Sequence, residues 1–244
     1  MTRVHAAGIL AADPHLRERL KPEPATATFD VTTVNHLVLA GWAGRNQAAV
    51  EAHIRELEAL GTSRPTRTPV FYRVASSLLT TAEVIEVVGV ETSGEVEAVL
   101  IQRADAGDIW VGLGSDHTDR GLERISVALS KQLCAKVVAP SLWRLDDLLP
   151  HWDDIALRSW THRGGRREAY QDGTLAAILP PDQLLAKYAA FAEPLARRGT
   201  MFCGTIATIH EIAPADEFEM ELHDPVLNRR LTHRYRVVTL PANA

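Results

Sequence analysis

The chain has 244 residues, of which 46% are hydrophobic and 23% charged, and a formal net charge of −5. That length suits one large domain or two small ones, with a core that needs neither disulfide nor metal to hold it. The acidic balance argues against a nucleic-acid surface, and no apolar run nears the roughly 20 residues of a membrane span.

The first segment, MTRVHAAGILAADPHLRERL, holds only the short apolar patch AAGIL, which is too short for a secretory signal. The two cysteines, Cys134 and Cys203, make no disulfide framework and read as free thiols, so a cytoplasmic location is expected. Residues 1 to about 27 are interrupted by prolines and read as an arm. TFDVTTVNHLVLAG is β-rich. RNQAAVEAHIRELEALG predicts a helix, with Val50, Ile54, Leu57 and Leu60 on one face and Gly61 as its C-terminal cap.

PTRTPVFYRV is expected to be extended around its prolines. The stretch from Glu83 to Ser115 reads as several strands with glycine turns, DAGD among them. In DHTDRGLERISVALSKQL, Leu122, Ile125, Leu129 and Leu133 recur at helical spacing. APSLWRLDDLLPHWDDIALRSW reads as a turn and a strand. PDQLLAKYAAFAEPLARRG predicts a helix broken at Pro194 and stopped by Gly199. TMFCGTIAT, EFEMELHD and RLTHRYRVVTL read as three closing strands. Strands in runs rather than alternating with helices predict an α+β fold with mixed sheet.

SGEVEAVLI places carboxylates where a strand should be apolar. With a period of two, Glu95, Glu97, Val99 and Ile101 share one face and Val96, Ala98 and Leu100 the other. Two unpaired acids at the edge of a buried face are costly unless they take up a proton or hold a cation. A hard divalent cation accepts such oxygen ligands. The bland reading has Glu95 in solvent and Glu97 paired with an arginine. In SDHTDR, Asp116 reads either as a helix N-cap with Asp119 at the third helical position or as a third ligand, with His117 beside it as a base. The residues alone leave both readings open.

These segments resemble the fumarylacetoacetate hydrolase superfamily. TSGEVEAVLI is similar to its E-x-E strand, and GSDHTDR to its N-D-x-S/T-A-R-D segment. SKQLCAKVVAPSLW and RGTMFCGTIATIHEIAPADEFEMEL are similar to its lysine-bearing and C-terminal segments. A narrower resemblance, through GWAGR, SGEVE, SDHTDR, SKQ and HWD, is to a bacterial domain family of unknown function, number 2848.

The superfamily resemblance implies a β-rich mixed-sheet roll with a few peripheral helices, often dimeric. It divides the chain into an N-terminal part (1–65) packed on a main domain (66–244). It implies Mg²⁺, or Mn²⁺ or Ca²⁺, held by Glu95, Glu97 and Asp116, with Lys131 neutralising substrate oxygens and Thr205 contacting substrate. The expected partners are a 1,3-dicarbonyl or 2-oxo acid substrate and a second copy of the chain, with no nucleic acid and no membrane. The expected reaction is C–C bond hydrolysis through a metal-stabilised enolate. The alternatives are decarboxylation or tautomerisation on the same fold, or a non-catalytic small-molecule-binding protein.

The chain departs from the superfamily pattern at Ser115, where asparagine is usual, in TDR for ARD, and in a shorter loop before Asp116. The family's N-terminal His–Glu pair has no placed counterpart; His36 and His117 are candidates by chemistry. Tyr72 and Arg45 are candidate substrate contacts, Arg45 as a partner for a carboxylate. HWDD (151–154) reads as a packing turn, Cys203 as a small buried residue, and THRGGRRE (161–168) as a solvated loop.

Overall fold

The computed structural model describes residues 26–59, 64–103 and 108–241. The N-terminal part supplies β1 (Thr26–Thr28), β2 (His36–Gly41) and the helix α1 (Gln47–Ala59). Then come β3 (Val70–Val74), β4 (Leu79–Thr80), β5 (Val84–Val88) and β6 (Thr92–Ser93). The central strands are β7 (Val96–Gln102), β8 (Ile109–Asp116) and β9 (Thr118–Asp119), followed by the short helices α2 (Arg120–Glu123) and α3 (Val127–Leu133). β10 (Lys136–Val138), β11 (Ser141–Arg144), α4 (Leu145–Leu148), β12 (Ala156–Arg163) and β13 (Arg166–Thr174) come next. α5 (Pro181–Ala189), β14 (Gly199–Thr205), β15 (Glu217–Asp224) and β16 (Arg229–Leu240) complete the chain.

Among the described residues, a nine-stranded sheet runs β1-β11-β8-β7-β14-β2-β3, with β10 and β4 joined at the side of β8. A five-stranded sheet runs β13-β12-β15-β16-β5. Both mix parallel and antiparallel neighbours, as the α+β reading expects. β2, before residue 65, lies between β14 and β3 in the large sheet.

The alternation of β7 decides which layer each side chain joins. Val96, Ala98 and Leu100 pack into the core shared with Met220 and Leu222 of the smaller sheet. Val99 and Ile101 turn to the other face, against Leu37, Leu39 and Phe202. β7 and β8, buried on both faces apart from their ends, form the rigid centre from which the polar ends project.

Several expectations are corrected. Thr26 and Ala27, read as the end of an arm, join Thr28 in β1 on β11. The stretch after Asp116 is two short helices, because Ser126 starts a new one by accepting from Leu129 N at 3.4 Å. Its periodic Ile125, Leu129 and Leu133 face outward. The helix N-cap is Asp119, which accepts from Leu122 N at 2.7 Å, while Asp116 is the last residue of β8. α5 ends at Ala189, before Pro194, and Gly199 begins β14 instead of stopping a helix. The arm up to residue 25, Leu60, Gly61 and most of the DAGD turn lie outside the described residues, as does the Leu57 side chain.

Candidate metal centre and cleft

Glu95 immediately precedes β7, Glu97 is its second residue and Asp116 ends β8. The strands are antiparallel neighbours with Glu97 opposite Gly114, and Asp116 N donates to the Glu95 carbonyl at 3.0 Å. This pairing gathers the acids: one carboxylate oxygen from each lies within 4.8 Å of the others. Residues 19 apart or more in sequence therefore meet because one strand pair carries them all.

Glu97 and Asp116 are each 2% exposed. Burial, and then the negative charges of Asp116 and Glu95, push the Glu97 carboxyl well above its ordinary range. Its Oε2 accepts a 2.6 Å hydrogen bond from Gly204 N. Burial also works against the charge on Glu95, but Lys131 and Arg120 outweigh it and hold that carboxyl at about 2.

Lys131, on α3, lies between two acids, with Nζ 2.6 Å from Glu95 Oε2 and 2.8 Å from Asp116 Oδ2. It also donates to Thr118 Oγ1 at 3.1 Å. Burial disfavours its charge, yet Asp116 and Glu95 more than offset this and raise its pKa. Lys136, fully buried, has Nζ 2.7 Å from Asp116 Oδ1 and donates to the His117 carbonyl at 2.6 Å. Arg120 reaches Glu95 Oε1 at 3.0 Å and Glu123 at 2.8 Å.

A cleft of about 960 Å³ opens over these groups. All three acids, Lys131, Tyr72, Thr205 and Arg45 line it. His117 does not. It is 2% exposed, and its two ring nitrogens pair with Tyr235 Oη and Thr92 Oγ1, each at 2.9 Å. Burial, then Lys136 and Arg120, push it down to about 3. A neutral imidazole bonded at both ends packs the strand end and is withdrawn from the substrate space. His36 is also placed away from the cleft lining, its Nε2 2.7 Å from Tyr188 Oη.

Arg45 is held in a two-pronged pair with Asp153, at 2.7 and 2.6 Å. HWDD thus supplies the partner that orients Arg45, and its His151 pairs with Asp224 at 2.9 Å. Thr205 donates to the Val96 carbonyl at 2.8 Å and accepts from Gln171 Nε2 at 2.8 Å. Burial pushes the Cys203 thiol up, which suits an inert core residue. Residues 161–168 form the facing ends of β12 and β13, joined at Gly164 and Gly165.

Sequence reasoning missed Arg120, Lys136 and Gln171. Arg120 closes the SDHTDR motif and was legible there as a cation near Asp116. Lys136 and Gln171 reach the site only through pairing of distant strands. Trp42 also lines the cleft, with φ +57 in the left-handed region, a conformation that surrounding structure must impose on a non-glycine residue.

Three solved structures bear on the fold. A yeast fumarylacetoacetate hydrolase family protein, ynq8, aligns at 17% identity and TM-score 0.61, covering 87% of this chain and 96% of that one. A 2-keto-3-deoxy-D-arabinonate dehydratase complexed with magnesium and 2,5-dioxopentanoate aligns at 13% and 0.62, covering 86% and 74%. A 5-carboxymethyl-2-hydroxymuconate delta-isomerase from Mycobacterium smegmatis aligns at 16% and 0.59, covering 85% and 78%. No protein of curated function matches the sequence. The fold is of the fumarylacetoacetate hydrolase type. The model of a family described as "Protein of unknown function (DUF2848)" matches residues 40–235, and the chain belongs to that family.

Proposed function

We propose that the chain is a divalent-metal-dependent enzyme acting on a 2-oxo acid or 1,3-dicarbonyl compound. The observation that carries this reading is the convergence of Glu95, Glu97 and Asp116 at the floor of one cleft. The donor set fits the ion: carboxylate oxygens suit Mg²⁺, Mn²⁺ or Ca²⁺, and the buried Glu97 carboxyl is crowded by two like charges that a cation would relieve. The magnesium and the oxo acid named with the dehydratase neighbour support the same reading by fold.

A bound divalent cation would polarise substrate oxygens as a Lewis acid. The chain's own groups do the rest. Lys131 presents a buried ammonium where negative charge would develop on a substrate oxygen. Arg120, in the cleft lining, and Lys136, fully buried, fix Glu95 and Asp116. Gln171 and Thr205 lock one another against the strand ends and shape the cleft without offering an unspent donor.

Hydrolysis requires a base that activates water. His117, the candidate, is bonded on both nitrogens outside the cleft lining. That observation favours decarboxylation or tautomerisation over C–C bond hydrolysis, since neither needs an activated water. In decarboxylation the C–C bond to the carboxylate breaks, CO2 leaves and the enolate is protonated; tautomerisation proceeds by proton transfer. The test is turnover of oxaloacetate and acylpyruvates with Mg²⁺ or Mn²⁺. Metal-dependent decarboxylation or ketonisation without cleavage to two acids is expected. Cleavage of an acylpyruvate to pyruvate and a carboxylic acid would restore hydrolysis, and no turnover despite metal uptake would favour a binding protein.

A further inference from the structure

The cleft lining joins two chemically different sets of groups: the acids with Lys131 and Arg120, and an apolar wall of Ala49 and Val50 of α1, Ala177, and Ala207 and Ile212 after β14. Several polar groups beside this wall are occupied within the protein. Arg45 is paired with Asp153, and Asn46 Oδ1 accepts from Ala49 N at 3.1 Å as the start of α1. Gln171 Nε2 donates to Thr205 and to the Ile206 carbonyl, and Thr205 to the Val96 carbonyl. A ligand's far end therefore meets mainly methyl groups, with the Gln171 Nε2 and Thr205 donors already spent. Ala49, Ala177, Ala207 and Ile212 stay exposed, although half-open apolar surface continuous with a charged floor is costly to leave in water.

We infer that this wall is a subsite for an apolar tail, so that the substrate is a 2-oxo acid carrying a hydrocarbon chain and not a polyhydroxylated sugar acid. The inference rests on the metal-centre reading for the head group. A cleft of about 960 Å³ is at the large end for small ligands and exceeds what a three- or four-carbon acid fills. Poly-hydroxyl chains would lose water to an alkyl surface without replacement hydrogen bonds. Each buried methylene instead contributes about 0.8 kcal/mol, roughly a fourfold gain in affinity.

The experiment is calorimetric titration of the full chain with oxalate, pyruvate and straight-chain 2-oxo acids up to 2-oxooctanoate, with and without Mg²⁺. Affinity should rise about three- to fourfold per methylene, and Ala49→Trp, which fills the wall from an exposed helix position, should flatten that series. Ile212→Lys should weaken the longest acids most. Metal-dependent oxalate binding together with a flat chain-length series would overturn the tail subsite and leave the head-group reading intact. Chain-length dependence that needs no metal would support the subsite and count against the metal centre. Failure of every acid, oxalate included, would overturn both.

Discussion

Gly204 donates its backbone N–H to Glu97 Oε2 across 2.6 Å, and the bond exists because the backbone turns the wrong way for any other residue. Gly204 has φ +96, inside the register shift between Phe202 and Thr205, after which β14 pairs again with β7 through Thr205 and Glu97. An added Cβ would lie 2.9 Å from Ala43 Cβ and 3.0 Å from the Ala40 carbonyl oxygen. Gly204→Ala should cost about 1–3 kcal/mol from the backbone conformation alone. Urea unfolding reads this cost, and divalent-ion affinity should fall as Glu97 loses its fixed orientation. Unchanged values for both would remove the role assigned to this glycine.

Lys131 neutralises the buried Asp116 carboxylate and the half-buried Glu95 carboxylate. Its removal in Lys131→Met leaves Glu95 and Asp116 with less compensation, and breaking a buried pair in this way costs about 3–5 kcal/mol. The variant should melt earlier than the parent in EDTA and recover more of its Tm on adding Mg²⁺, since a ligand of the folded state stabilises by mass action. Equal Mg²⁺-induced shifts in variant and parent would show that Lys131 and the cation do not share those acids.

His117 is assigned a packing role. His117→Phe removes the partner shown for the buried Thr92 hydroxyl, a loss of about 1–3 kcal/mol if left unsatisfied, and one of two partners of Tyr235 Oη, which keeps Ser115 Oγ at 2.8 Å. The expected readout is lower stability in denaturant without loss of the acidic or basic limb of a pH–rate profile. Disappearance of one limb would return His117 to the reaction.

Acid stability has an identifiable contribution on the five-stranded sheet. Hydrogen bonding from Arg167, ahead of burial in the other direction and with help from His162, holds Glu219 down at about 2. The unfolded carboxyl titrates near the ordinary glutamate value of 4.5. Below that value the unfolded chain binds the extra proton first, so this stabilisation is present above pH 4.5 and fades as pH falls towards 2. Glu219→Gln should lower stability at pH 7 and narrow the gap to the parent as the pH is reduced through this window. A pH-independent difference would contradict the assignment.

The strand periodicity of SGEVEAVLI was legible because a two-residue repeat sorts side chains locally. Val99 and Ile101 join one apolar cluster, and Val96, Ala98 and Leu100 the other. The helical spacing of Ile125, Leu129 and Leu133 was equally legible, but spacing carries no information on which way a face turns, and this one turns outward. The capping role was displaced from Asp116 to Asp119 because β8 runs through Asp116, one residue past the stretch read as strand, and β9 follows before the helix. Gathering Glu95, Glu97 and Asp116 needed only one antiparallel pair. Lys136 and Gln171 depend on β10 and β13 docking from far along the chain, which no local pattern encodes.

The central claim is a single cation held by the three converging acids. Calorimetric titration of metal-free protein with Mn²⁺ or Mg²⁺, repeated on Glu97→Gln and Asp116→Asn, tests it most directly. One site per chain in the parent and none in either variant is the predicted result. Binding that survives both substitutions, or no binding by a folded parent, would contradict it.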